Sequence, residues 1–373
     1  MGFIKSLFNA VADPKYFFIL AVLALVVLVW KRESIASNAV GYGLLGFLGI
    51  FFAFGMFDPN FRLIVTKPDN VPIVGLIFLL VFFTWYSMRE AVLNDRRIAA
   101  GQGPIEKAES DRVWVWPDLV YTELISLIVL NVVLIGWSIL LKAPLEQPAN
   151  PANTPNPSKA PWYFLGLQEM LVYFDPWLAG VVLPSLIIVG LICIPYIDKN
   201  PRGNGYYTFA ERKAEVTIFL FGFVILWASL IVLGTFLRGP NWNFFGPYEF
   251  WDLHKLLALN NVNLSEYIWV KLLHANISGL NMFVRELPGI LLVLFYVGVL
   301  PGLLAFNRRE VKLPGGGRIY LGLRKYYEKM GPWRYSVFVI LVLAMFSLPI
   351  KMVLRWLFNL KYIIAMPEIF FNI

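Results

Sequence analysis

Two histidines and one cysteine are all that 373 residues offer a transition metal, and that scarcity bounds the chemistry. A covalently attached c-type haem takes Cys-x-x-Cys-His, which is absent. A Rieske-type iron–sulfur cluster takes two cysteines and two histidines, and Cys193 stands alone. Haem held between paired histidines takes two per haem, on facing helices. His254 and His274 lie outside the long apolar runs and read as interfacial surface residues. The chain is therefore expected to supply no standard haem or iron–sulfur ligation and no metal site, a non-standard haem contact being the alternative for the two histidines. Proton chemistry falls to carboxylates beside apolar sequence. Glu169 and Asp175 follow the aromatic run Trp162-Tyr163-Phe164, and Asp118 and Glu123 head another apolar run.

These residues need a scaffold, and composition defines it. The chain is 58% hydrophobic and 15% charged, against about 45–50% apolar and 25% charged in soluble domains. It reads as an all-α integral membrane protein. A span needs about 20 apolar residues and must pair its own backbone. Eight runs qualify, at 16–30, 40–57, 71–88, 119–141, 178–197, 216–236, 289–306 and 335–357. The first is the shortest, and the N-terminus carries no signal-peptide pattern. Of 32 Lys and Arg, 19 fall on the side holding Lys31-Arg32 and the loops 89–116, 198–213 and 307–334. The excess puts those loops in the cytoplasm of a bacterial inner membrane and the loop 142–175 on the outer, periplasmic face. The net charge of +8 then reflects orientation and not a nucleic-acid partner.

The outer loop carries Pro144, Pro148, Pro151, Pro155, Pro157 and Pro161, which favour an extended, semi-rigid path. From Trp162 to Phe174 the pattern turns helical, as a short surface helix. Beyond residue 237, Trp242, Phe244, Phe245, Tyr248, Phe250 and Trp251 make an interface belt. The stretch 256–283 then reads as one amphipathic interfacial helix. Pro184 and Pro195 interrupt the fifth span as kinks or plain packing features. Lys351 and Arg355 are expected to snorkel to the interface. Pro314 and Gly315-Gly316-Gly317 lack the Gly-Lys-Ser/Thr ending of a phosphate loop and read as a hairpin-like turn.

Residues 116–236 resemble the C-terminal domain of cytochrome b, or the separate subunit IV of split cytochrome b, from bc- and bf-type quinol–cytochrome c reductases. The resemblance rests on Trp116-Pro117-Asp118-Leu119, Pro148-Ala149-Asn150-Pro151 and Pro161-Trp162-Tyr163-Phe164-Leu165. It continues in Ile194-Pro195-Tyr196-Ile197-Asp198 and Asn200-Pro201-Arg202, in that order and at fitting spacing. The implied layout is a three-helix extension (1–115), the cytochrome b-like domain (116–236), and an aromatic and amphipathic segment with further helices (237–373).

The resemblance implies a membrane subunit that helps form the outer quinol oxidation pocket and supports electron transfer and proton translocation. Such a subunit is not catalytic alone. The b-type haems would belong to a dihaem cytochrome b N-terminal-type subunit, and the 2Fe-2S cluster to a Rieske protein. A c-type cytochrome and membrane lipid complete the expected partners. Pro161, Trp162, Tyr163 and Phe164 would line the quinone pocket, where aromatic walls suit a flat ring and tyrosine adds a hydroxyl; an interface belt is the alternative. The family's loop reads Pro-Glu-Trp-Tyr, whereas Ala160-Pro161 stands here, so the proton-accepting carboxylate is missing. Glu169, seven residues past Trp162 and about 10 Å along a helix, is the nearest replacement along the chain, with Asp175 behind it. The alternative for Glu169 is a solvated or helix-pairing carboxylate. Asp118 and Glu123 either supply protons to an inner quinone site or favour a helix N-terminus. A transporter would need polar residues in mid-span or two related halves; the spans are nearly free of the former and no halves match. A structural anchor without its own quinone chemistry is the remaining rival.

Overall fold

The computed structural model describes every residue except 1, 110–112, 144, 146–147, 308–309, 313–317 and 321. For 310–312 and 318–320 it describes the backbone alone. The protein is mostly helical, with almost no strand among the described residues. Among the described residues, seven helices are long and apolar enough to cross a membrane, or eight if a bent pair counts as one span. That pair is α1 (Gly2–Val11) and α2 (Pro14–Trp30), which meet at 76°. Asp13 stands at the break and caps α2, accepting from the Lys15 N–H at 3.1 Å, while Pro14 opens the helix. The spans are α3 (Asn38–Gly55), α4 (Val71–Ala99), α5 (Val115–Leu140), α7 (Leu178–Ile197), α8 (Lys213–Leu237), α9 (Leu287–Phe306) and α10 (Pro332–Phe358). Between α5 and α7 lies the short helix α6 (Trp162–Met170). All eight sequence runs find their helix.

The chain divides into two compact units, and the division falls inside α6. The first comprises 1–166 and 201–256. In it α3 crosses α4 closely because Gly41 has no side chain: a Cβ there would sit 2.0 Å from the Trp85 indole. α4 runs eleven residues past the expected end of its span at Met88. No Gly or Pro interrupts it before Gly101, and Met88, Ala91, Val92 and Asn94 bury one face. Fully buried Asn94 then donates to Glu106 and to the Tyr207 carbonyl, and the Ile105 N–H donates to it. Asp95 accepts from Thr208 and from the N–H of Ala210. The N-terminal extension thereby holds the loop that precedes α8. α5 buries no residue in this unit.

The second unit comprises 167–200 and 257–373. α7 and α9 pack on α10. Ala305, Tyr335, Val339 and Leu343 form a buried cluster, and the hydroxyls of Tyr335 and Tyr296 donate to the Pro301 and Leu343 carbonyls. Strands Glu310–Lys312 and Arg318–Tyr320 pair antiparallel; Gly315-Gly316-Gly317 fall between them in sequence, outside the described residues, as does Pro144 of the proline-rich loop. Pro184 sits where a wider turn, Leu178–Val182, gives way to regular helix, and Pro195 lies within α7 near its end.

The tail after α10 folds back over one end of this unit. Leu360 bridges to Val262, and the Ala365 N–H donates to buried Glu286 at 2.9 Å. Gly289 makes this possible, because a Cβ there would fall 2.0 Å from the Ile363 carbonyl oxygen. Gly289→Ala is expected to cost about 1–3 kcal/mol by forcing the tail away, read as a lower melting temperature of the purified protein.

Two expectations are corrected in this unit. The stretch 256–283 is not one amphipathic helix: helical turns cover Glu266–Leu272, with Met282–Arg285 starting afresh. Asparagine side chains compete for the backbone there. Asn276 accepts from the Ser278 N–H at 3.0 Å, Asn281 caps the next turn through the Phe283 N–H, and His274 adopts a positive φ of 51°. Lys351 does not snorkel. It is 1% exposed because the tail covers it, and its Nζ lies 3.4 Å from the Ile373 backbone oxygen. Arg355, one turn on, keeps partial exposure and donates to the Asn359 carbonyl.

Candidate functional site

The described part of the proline-rich segment forms neither helix nor strand from 149 to 161, with a turn at 151–152 and a bend at 156–157, and helix starts at Trp162. Proline fixes φ and lacks an N–H, so a helix cannot form across this spacing but can begin just after Pro161. The first residues of α6 then divide between two faces. Leu165, 3% exposed, and Gly166 turn inward onto α8. There a Cβ on Gly166 would meet Ile231 at 3.4 Å, and one on Gly234 would meet the Leu165 carbonyl at 3.2 Å. Trp162, Tyr163 and Phe164 turn outward at 37%, 50% and 51% exposure. Their rings form a continuous run: Trp162 stands edge-on to Tyr163 at 5.7 Å, and Tyr163 lies 4.7 Å from Phe164. Pro161 is exposed beside them. The arrangement offers flat apolar faces and one phenol hydroxyl at the head of a well-anchored helix.

Glu169 sits seven residues further along α6 and is completely buried, which removes the solvated alternative. Asp175 is a clasp: it accepts from the Tyr362 hydroxyl at 3.3 Å and from the Asn372 side chain at 3.1 Å. Burial first, and the Asp175 charge after it, push the Tyr362 phenol above its ordinary value. Asp118 and Glu123 are exposed in the opening turns of α5. Trp116 stacks on Tyr121 beside them, with centroids 6.1 Å apart. The acids of α5 and the aromatic head of α6 therefore make separate places. A cavity of ≈ 300 Å³ is lined by Pro68, Asp69, Trp137, Ser138, Leu141, Lys142 and Ala143 and touches none of the expected site residues.

His254 and His274 are exposed and outside the spanning helices, as expected. They do not fit haem ligation. Among the described residues no group of three or more His, Cys, Asp or Glu is placed to hold a metal ion.

Sequence reading missed two kinds of residue here. Gly166 and Gly234 set how closely α6 approaches α8, and an isolated glycine in an apolar stretch is no distinctive motif. Lys159, set in a polar loop, carries no sequence signal of its role. Its ammonium donates to the Thr235 carbonyl at 2.8 Å and lies 4.9 Å over the Trp251 ring.

Fold and site together define a multi-pass, all-helical membrane protein that presents an aromatic-headed helix after a proline-rich segment. Residues 148–247 match the family model described as cytochrome b (C-terminal)/b6/petD. The chain thus carries a cytochrome b C-terminal-type domain, which supports a membrane subunit of a bc- or b6f-type complex. The match begins inside the proline-rich loop and ends inside the aromatic segment after α8. No solved structure matches the chain.

Proposed function

We propose that this chain forms one wall of the outer-side quinol oxidation pocket of a quinol–cytochrome c reductase-type assembly. The observation that carries the proposal is the coincidence of the family match, residues 148–247, with the exposed Trp162-Tyr163-Phe164 face. Bound quinol supplies a two-electron, two-proton couple. Trp162, Tyr163 and Phe164 take its flat ring, with Pro161 at the rim and the Tyr163 hydroxyl available for a ring oxygen. Glu169 receives a quinol proton, directly or through water along α6, in place of the carboxylate absent at Ala160-Pro161. The b-type haems and the Rieske 2Fe-2S cluster belong to partner subunits, because no residue set here suits them. A dihaem cytochrome b chain, a Rieske protein and a c-type cytochrome are the partners this requires. Asp118 and Glu123, exposed at the other end of α5, are proposed to serve proton exchange on the cytoplasmic side. The basic excess on the loops 89–116, 198–213 and 307–334 supports that orientation in a bacterial inner membrane.

The test is isolation of the native assembly from its membrane. A b-type haem spectrum and the three partners should accompany this chain; an assembly devoid of b-type haem would overturn the proposal. Within that assembly, Trp162→Ala is expected to raise the quinol KM about tenfold, the loss of one aromatic contact of some 1–1.5 kcal/mol. A structural anchor without quinone chemistry gives an unchanged KM instead.

A further inference from the structure

We propose that Lys159 and Asn156, with the turn after α8, form a two-point latch that positions the proline-rich loop and thereby sets quinol affinity. The inference rests on the pocket reading above. Its geometry stands within the first unit alone.

The first point is Lys159. The last carbonyls of a helix have no intrahelical donor and carry partial negative charge. Lys159 supplies both a donor and a cation to that end of α8, binding the carbonyl of fully buried Thr235 at 2.8 Å. The Trp251 ring lies beneath the same ammonium at 4.9 Å, adding a cation–π contact. This grip lies three residues before Trp162, so little slack separates it from the aromatic face.

The second point is Asn156. Its side-chain amide donates to the Asn241 side-chain oxygen at 2.9 Å, and its own oxygen accepts from the Asn241 N–H at 2.6 Å. Asn241 and Trp242 both adopt positive φ, at 57° and 56°. Asparagine tolerates that region, but a bulky tryptophan does not adopt it without strain. Strained backbone persists where its surroundings over-determine it, and here they do. Gly239 N–H donates to the Asn243 carbonyl, Arg238 donates to the Trp242 carbonyl, and Asn241 also donates to the Leu253 and Lys255 carbonyls. The turn is thus braced from one side by the aromatic segment and offers its other side to the loop. A proline-rich strand has no backbone ladder of its own, so its position depends on such side-chain fastenings. Neither residue touches the reacting ring; both are positioning residues.

The experiment uses the native assembly in membranes with Lys159→Met, Lys159→Arg and Asn156→Ala, read by amide hydrogen exchange over 150–160 and by quinol kinetics. Lys159→Met should speed exchange of this segment and raise quinol KM about tenfold, the scale of one charge-assisted hydrogen bond, with kcat changed less than twofold. Lys159→Arg, still a long cationic donor, should restore both. Asn156→Ala removes an exposed side chain that no core depends on, and should give about a threefold KM increase. Unchanged exchange in Lys159→Met and Asn156→Ala would overturn the latch. Faster exchange with unchanged quinol KM would leave the fastening in place and overturn its link to quinol, whereas the pocket reading itself fails only if Trp162→Ala also leaves the KM unchanged.

Discussion

Glu169→Gln is expected to lower quinol oxidation by the intact assembly about 100-fold while leaving the quinol KM within a factor of two. General bases commonly contribute 10²–10⁴-fold, and glutamine keeps the shape and hydrogen-bonding reach of the side chain while losing the capacity to hold a proton. The burial of Glu169 matters to the size of the effect. A fully shielded carboxylate cannot be replaced by bulk water arriving at the same spot. The partial exposure of Asp175, and its two fixed donors Tyr362 and Asn372, make it a poorer acceptor. Asp175→Asn should therefore lower the melting temperature more than the turnover. The pH profile of kcat separates a base from a structural residue, since loss of the base removes the acidic limb of the profile and a packing defect leaves the limb in place. Equal turnover in Glu169→Gln and the parent assembly would eliminate this carboxylate as the acceptor.

Spanning helices were readable because lipid imposes one rule on every backbone group. The eight apolar runs met that rule without reference to any neighbour. The end of α4 was misplaced for the complementary reason. Arg89, Glu90 and the residues up to Ala99 are polar enough to leave the bilayer, yet nothing in them stops a helix, and Asn94 is buried only because 105–106 and 207 reach it through space. The stretch 256–283 failed in the opposite direction. Its apolar spacing suited a helix, but asparagines at 276 and 281 found local backbone partners that an amphipathic pattern does not weigh. At the site, the aromatic trio and Glu169 could be named from sequence because each is chemically conspicuous. Their division into faces could not, since Leu165 and Gly166 turn inward only against α8.

That inward contact supplies the other large effect. Gly234→Val is expected to destabilise the protein by about 1–3 kcal/mol and to raise the quinol KM by more than about tenfold. A Cβ at 234 would lie 3.2 Å from the Leu165 carbonyl oxygen and 3.4 Å from the Leu165 Cβ. Both belong to the first turn of α6, so neither can retreat as a flexible side-chain tip would. The flanking Leu233 and Thr235 are buried at 1% and 0% exposure, which leaves no direction in which two further methyls fit. Valine must lift α6 away from α8, and the residues lifted are the immediate neighbours of Trp162, Tyr163 and Phe164. Gly234→Ala meets the same atoms with one carbon only, and a shift of a few tenths of an ångström should absorb it. Gly46→Val serves as the reference, because Gly46 in α3 has nothing within 4 Å of its would-be Cβ. Melting temperature and quinol KM measured on all three should rank Gly46→Val nearest the parent, Gly234→Ala next and Gly234→Val last. If the two valine variants behaved alike, α6 would not rest on α8 at this separation, and the aromatic face would have to be held by something other than the helix crossing.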